Sequence, residues 1–296
     1  MNFFLLIDKD EGSSSFNLIR QLRKLTGIKK IGHGGTLDPF ATGLMICAGG
    51  QYTRLLRYAE AKDKTYEACI KLGYFSDTGD PEGEIKQGKL SEISVETIAE
   101  LPMRVLGERE LKLPRHSAIK IDGKRAYKYA REGSVLEMPT RLSQIHDFEI
   151  LKQEENCLHY CARVSKGTYI RSLSEYIAEL LGCDGYTLNL RRTMIGKHSV
   201  NEAHKMNQLG EDWREKTIDP AGIISHLPAL KIDDEQVQDI FCGRKISFQE
   251  QFQNISGGLP EQEYALFDEA SALIAIGKAS EGLIYPQLVF NRENRA

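Results

Sequence analysis

The sequence predicts an α+β fold: a mixed, mainly antiparallel central sheet flanked by helices, followed by a small β-rich C-terminal domain. Three observations lead there. Strand-like runs come in pairs joined by short turns, amphipathic helical stripes interrupt them, and the texture of the chain changes near residue 225. At 296 residues, with 41% hydrophobic and 27% charged side chains, the chain has a globular balance and room for one large domain plus a small one. We divide it at 1–224 and 225–296.

Taken in order, Phe3–Ile7 reads as a strand, stopped by Asp8, Lys9, Asp10 and Glu11. It is too short for a signal-peptide core and far short of the roughly 18 residues of a membrane span. Gly12-Ser13-Ser14-Ser15 makes a turn whose last serine caps a helix. That helix aligns Leu18, Ile19, Leu22 and Leu25 on one stripe and ends at Gly27. Leu44–Ala48 reads as a buried strand before a helix near 52–61. Tyr66, Ala68, Ile70 and Leu72 alternate as in a strand. Ala118–Ile121 enters a turn at Asp122-Gly123, followed by a basic helix over 124–131. Leu142–Leu151 and Leu158–Val164 form a hairpin around Glu154-Glu155-Asn156, and a helix from Tyr169 carries Ile170, Leu173, Ile177, Leu180 and Leu181 to Gly182. Beyond 225, a short acidic helix, Gly257-Gly258-Leu259-Pro260 and the runs Tyr264–Phe267 and Leu273–Ile276 make the β-rich appendage.

Six scattered cysteines form no CxxC pair and no zinc spacing. They fit buried thiols in a reducing cytoplasm. The net charge of −3 hides an asymmetry. Residues 16–31 hold Arg20, Arg23, Lys24, Lys29 and Lys30 with no acid, and 104–131 hold nine bases against three acids, whereas 231–296 hold six bases against eleven acids. Phosphate binding depends on local charge density, so the two basic segments are candidate nucleic-acid grips, although such runs standing alone are more often solvated helix faces.

There is no Walker loop, no GxGxxG after a strand, no HExxH and no GxSxG elbow. What remains is Gly32-His33-Gly34-Gly35-Thr36-Leu37-Asp38-Pro39-Phe40-Ala41-Thr42-Gly43, four glycines, a proline, a histidine and one carboxylate between a helix and a strand. Such a loop demands unusual backbone angles or a close approach to a ligand. Asp38, before a proline, projects from a stiff loop. From composition alone a tight turn with Asp38 as a capping residue fits equally well.

This segment closely resembles the catalytic loop of the TruB family, the bacterial tRNA pseudouridine synthases. Further segments follow in family order over roughly residues 3–200. They include 8–15, Asp63-Lys64-Thr65-Tyr66-Glu67-Ala68, Leu72-Gly73 through Ser76-Asp77-Thr78-Gly79-Asp80, and Ser117-Ala118-Ile119-Lys120. Gly123-Lys124-Arg125-Ala126-Tyr127, Ser165-Lys166-Gly167-Thr168-Tyr169-Ile170-Arg171 and Leu190-Arg191-Arg192-Thr193 complete the set. Three positions depart from the pattern: Asp10 replaces a proline, Leu113-Pro114 a double proline, and His116 an aromatic. These are expected at turns beside the RNA path, away from the carboxylate.

The resemblance implies a pseudouridine synthase fold with a PUA-like C-terminal domain. It also implies isomerisation of uridine 55 in the tRNA T-loop, in the cytoplasm. The reaction breaks the ribose bond to N1, turns the uracil and rejoins it through C5, so no cofactor or metal is expected. By resemblance Asp38 is the catalytic carboxylate, either attacking the anomeric carbon or removing the ribose 2′ proton. Arg171 is its guanidinium partner, keeping the acid ionised and oriented. Tyr66 and Tyr169 face the extruded uracil, with Tyr66 also near C5; Leu190 lines the pocket, and His33 fills the space the base leaves. Arg20, Lys24, Lys120, Lys124, Arg125 and Arg131 are expected on the T-arm backbone. No membrane, no obligatory protein partner and a monomer are further expectations. Two other readings share these residues: a guide-RNA-dependent relative, expected to carry partner-binding extensions, and a tRNA-folding chaperone. A glycosidase would want two carboxylates across the bond, and only Asp38 stands out.

Overall fold

The computed structural model describes residues 1–117, 119–121, 124–125, 138–247 and 260–290. Its first strand, β1 (Phe3–Lys9), is apolar without alternation because it is covered on both faces. Phe3, Leu5 and Ile7 enter a core with Leu18, Ile19 and Leu22, whereas Phe4 and Leu6 enter a second core with Ala265, Leu273 and Ile276 from the far end of the chain. Helix α1 (Ser15–Thr26) follows, ended by Gly27 in the left-handed region. Its cap differs from expectation: Ser14 accepts from the Asn17 amide, leaving Ser15 as the first helical residue. The Ser15 hydroxyl instead donates to Leu37 O at 2.9 Å and accepts from Leu37 N at 3.0 Å.

Strands β2 (Ile31–His33) and β3 (Thr42–Gly49) enclose the glycine-rich loop. A 3₁₀ turn over Gly50–Leu55 leads into the short helix α2 (Leu56–Glu60). β4 (Lys64–Leu72) turns Tyr66, Ala68, Ile70 and Leu72 into the first core, as their alternation requires. Then come the small hairpin β5 (Tyr74–Ser76) and β6 (Ile85–Gln87), helix α3 (Val95–Val105) and β7 (Gly107–Lys112). The predicted helix beginning at Lys124 is not what forms there. β8 (Lys120–Ile121) pairs with β9 (Lys124–Arg125), so the hairpin signal of Asp122-Gly123 prevails over the basic run. The rest of that predicted helix, with Arg131, lies outside the described residues, as do Asp122, Gly123 and 257–259.

β10 (Thr140–Glu154) and β11 (Cys157–Val164) form the expected hairpin, with Glu155 at φ 49° in the turn. α4 (Ile170–Leu180) and β12 (Gly185–Ile195) complete the site-bearing part, and β13 (His198–Ser199) pairs back onto β12. Among the described residues these strands make one nine-stranded sheet ordered β1-β3-β12-β4-β11-β10-β7, with β2 on β3 and β13 on β12. Every pairing is antiparallel except β3 with β12, where Thr42 lies against Arg191 and Gly43 against Arg192. Gly43 has φ +108°, and a Cβ there would lie 2.3 Å from the Arg192 carbonyl oxygen, so only glycine permits this approach. The fold is α+β and mainly antiparallel.

After a series of 3₁₀ turns the chain builds a second, five-stranded sheet, ordered β14-β16-β17-β18-β15. Its strands are β14 (Ala229–Lys231), β15 (Ile246–Ser247), β16 (Glu263–Phe267), β17 (Leu273–Ser280) and β18 (Leu283–Val289). The acidic helix α5 (Asp234–Phe241) is closed by an Asp233–Gln236 capping box. Ile232, Val237, Ile240, Leu266, Ile274 and Ile284 give this part a core of its own.

The adjacent serines are expected to separate experimentally. Ser14→Ala removes only a cap and should cost about 1 kcal/mol in urea unfolding. Ser15→Ala unpairs both backbone groups of Leu37 and should cost about 2 kcal/mol. Equal losses would show that Ser15 does not anchor the loop.

Candidate active site

The glycine-rich loop is held in place by three buried side chains before it presents anything to solvent. Arg192, fully buried on β12, donates through Nε to Leu44 O at 2.7 Å, through Nη2 to Gly35 O at 3.0 Å and through Nη1 to Thr36 O at 3.4 Å. Lys9, equally buried, donates to Ser13 O at 2.6 Å, Asp10 O at 3.0 Å and Pro39 O at 3.1 Å. Ser15 grips Leu37 from the start of α1. Carbonyls at 35, 36, 37 and 39 are therefore all occupied, and Asp38 sits among them.

The Asp38 carboxylate faces Arg171 with both oxygens: Oδ2 is 3.0 Å from Nε and Oδ1 is 3.3 Å from Nη2. The second is a hydrogen bond; the first is an ion-pair distance at which Nε makes no hydrogen bond. Arg171 lies in the first turn of α4 and has three further partners. Its Nη1 is 3.1 Å from Asp80 Oδ2 and donates to Thr78 O at 2.9 Å, and its Nη2 donates to His116 O at 3.1 Å. His116 was expected away from the carboxylate; its backbone instead holds the arginine that orients it. The side chains of Arg171 and Asp80 are each 4% exposed, and that of Asp38 is 33% exposed. One buried cation thus serves two carboxylates, and only Asp38 is open to the cleft. Burial pushes the Asp38 carboxyl above its ordinary value; Arg171 and Lys9 pull it down, while the like charge of Asp80 reinforces the rise.

Asp38 opens into a cleft of about 1000 Å³ lined by Tyr66, Tyr169 and Leu190 together with Arg171 and the loop residues 35–37. Tyr66 and Leu190 come from the adjacent strands β4 and β12, and Tyr169 caps α4. Burial raises the Tyr169 phenol above its ordinary value, keeping it neutral. The rim is basic, with Arg57, Lys64, Arg141 and Lys166 against Glu60. Burial, reinforced by Arg192, brings Lys64 down to about 8; it donates to Glu60 O and Lys62 O. A second cavity of about 990 Å³, bordered by Leu6, His198, Ile224 and Phe267, has no comparable carboxylate–guanidinium pair among its lining residues.

The structure thus brings Asp38, Arg171, Tyr66, Tyr169 and Leu190 together. His33 stands outside the cleft lining, at the end of β2 opposite Cys47; burial and Arg192 lower its pKa, so its ring is neutral. Arg20 and Lys24 are exposed on α1, also outside the lining. Lys120, Lys124 and Arg125 lie on the β8–β9 hairpin. The sequence reading missed Asp80, Arg192, Lys9 and the rim cations as working parts. A lysine or arginine among apolar strand residues was the available signal for Lys9 and Arg192. Among the described residues, no group of three or more His, Cys, Asp or Glu side chains is arranged to hold a metal ion. No described helix is long and apolar enough to cross a membrane.

Comparison with known proteins agrees with this geometry. Residues 23–170 match the family model described as TruB family pseudouridylate synthase, N-terminal domain. The tRNA pseudouridine synthase B of Chlamydia pneumoniae is 42% identical over 206 residues, covering 69% of this chain and 87% of the relative. That of Neisseria meningitidis serogroup B (strain ATCC BAA-335 / MC58) is 35% identical over 254 residues, covering 84% and 83%. Among solved structures, an H/ACA RNP bound to a substrate RNA containing 2′-deoxyuridine superposes with a TM-score of 0.72 at 20% identity, covering 99% of this chain and 86% of that chain. At that identity the likeness concerns the fold alone. The chain belongs to the TruB family of pseudouridylate synthases. It is accordingly an isomerase.

The two acids on Arg171 are expected to respond differently to neutralisation. Asp80→Asn strips a buried cation of one anion and should cost about 3 kcal/mol in urea unfolding. Asp38→Asn relieves a carboxylate that burial already disfavours and should leave stability unchanged or slightly raised. Equal losses would contradict the burial difference.

Proposed function

We propose that the chain converts uridine 55 of the tRNA T-loop to pseudouridine, with Asp38 as the catalytic carboxylate. The observation that carries this reading is the Asp38–Arg171 ion pair in a cleft walled by two tyrosines and a leucine. A carboxylate this close to a fixed guanidinium has one orientation. Its open edge is the one available to a sugar. A nucleotide reaches it only after leaving the helical stack, which favours a loop as substrate. Tyr66 and Tyr169 then replace the lost stacking neighbours, and Leu190 closes the apolar wall.

In the reaction the C1′–N1 bond breaks, the uracil turns within the pocket, and C1′ bonds to C5; C5 gives up its proton and N1 takes one up, so the product is an isomer of the substrate. Asp38 acts on the sugar, at C1′ or at the 2′ proton. Arg171 holds the carboxylate in its reactive form and position. Tyr66 stands beside the base where the C5 proton leaves. Nothing is oxidised or reduced, so these side chains suffice without a cofactor. The rim cations Arg141 and Lys166 supply charge for the flanking phosphates, while Arg57 is paired with Glu263. The family names of the relatives support tRNA as substrate, and the chain is expected to act as a cytoplasmic monomer without a protein partner. We assign catalysis to 1–224 and a PUA-like role to 225–296; the acidity of the latter makes its contribution to RNA affinity modest.

The test is release of tritium from C5 of uridine in a T-arm stem-loop, with purified protein and neither guide RNA nor added metal. The parent should release label, and Asp38→Asn should lose activity by at least 10⁴-fold, about 5 kcal/mol of barrier. Label release by Asp38→Asn at the parental rate, or none from the parent, overturns the assignment. The pH dependence has a definite sign. Asp38 works ionised and its pKa is raised, so single-turnover rates should fall with acidification through a midpoint above the ordinary aspartate value of about 3.9. A midpoint at or below that value would contradict the burial account.

A further inference from the structure

Phe16 is 71% exposed, among the most exposed of the large apolar side chains. α1 buries Leu18, Ile19 and Leu22 against the sheet, and Phe16 lies on the outer face. Arg20 and Lys24 follow at steps of four residues, so the aromatic ring and two cations form one stripe along that face. Among the described residues neither cation has a carboxylate partner; Arg20 Nη2 donates only to Asn17 Oδ1, at 2.9 Å. No acidic residue occurs between 16 and 31. The stripe is also rigidly tied to the catalytic loop. Ser15, immediately before Phe16, is bonded in both directions to Leu37, immediately before Asp38.

We infer that the outer face of α1 is a second RNA-contact site, where Phe16 stacks on an unpaired base and Arg20 and Lys24 take backbone phosphates. The inference rests on the RNA-modifying function proposed above. An exposed aromatic ring leading into a line of cations is the arrangement that holds single-stranded nucleic acid, because every base offers a π-face and every linkage a negative charge. Other occupants fit less well. A second copy of the chain would bring like charges together, and an apolar protein partner would find one ring among cations. The tie through Ser15 keeps this base at a fixed offset from the nucleotide over Asp38, so the two contacts together set the register of the strand.

Binding of a fluorescent T-arm stem-loop to the full chain tests this, alongside single-turnover tritium release. Phe16→Ala should weaken binding about tenfold, and Phe16→Tyr should bind like the parent. Phe16→Ala should leave the melting temperature unchanged because the ring is exposed. Arg20→Ala and Lys24→Ala should each lower the slope of log Kd against log salt by about 0.7, and Phe16→Ala should leave that slope unchanged. Binding of Phe16→Ala within twofold of the parent overturns the inference. So does equal weakening by Phe16→Tyr. If the parent itself releases no label, the proposed function fails; if the parent is active and Phe16→Ala binds normally, only this inference fails.

Discussion

The site depends on one buried guanidinium shared between two carboxylates. Arg171 alone would pull the Asp38 carboxyl down. Asp80 divides the attraction of Arg171 and adds a like charge of its own. Asp38 is therefore oriented without being fully neutralised. The remaining donors of Arg171 end on the backbone of Thr78 and His116, so the cation cannot follow Asp38 if the loop shifts. Orientation is fixed from the arginine side, and the loop must be built to meet it.

That requirement explains the cost the fold accepts around the loop. Arg192 and Lys9 are full charges with almost no exposure, held by carbonyl oxygens rather than by carboxylates. Burying a cation this way is unfavourable unless its donors are satisfied, and here half of the satisfying oxygens belong to the segment that needs holding. Serving the carbonyls with cations also keeps the loop free of further anions, which would raise Asp38 beyond use. Ser15 adds a neutral anchor, and through it the outer helix moves as one body with the acid.

Local pattern carried much of the fold. β1, α1, β4 and the β10–β11 hairpin follow from apolar spacing and turn residues, because each is stabilised mainly by contacts its own periodicity announces. The errors are instructive. At Lys124 a basic run suggested a helix, but charge says little about backbone, and Lys124 and Arg125 pair as a strand with Lys120 and Ile121. At Ser14 and Ser15 either serine satisfied the capping pattern, and the choice was made by Leu37, a partner no local rule can name. In the site, Asp38 and Arg171 were legible through resemblance. Asp80 was not, although its motif had been noted, because its role exists only through an arginine 91 residues later in the chain. The rim cations escaped for a related reason: Arg57, Arg141 and Lys166 are isolated in sequence and converge only in three dimensions. His33 shows the converse, a motif residue that the fold leaves outside the cleft lining.

The parallel pairing of β3 with β12 has a bearing on biosynthesis. It joins Gly43 to Arg192, and the bonds from Arg192 back to Leu44 and Gly35 span 148 and 157 residues of chain. A nascent polypeptide leaving the ribosome carries Asp38 early but receives Arg171 only 133 residues later, and Arg192 later still. Until then the loop has only its N-terminal anchors, Lys9 and Ser15, and the contact that orients Asp38 is missing.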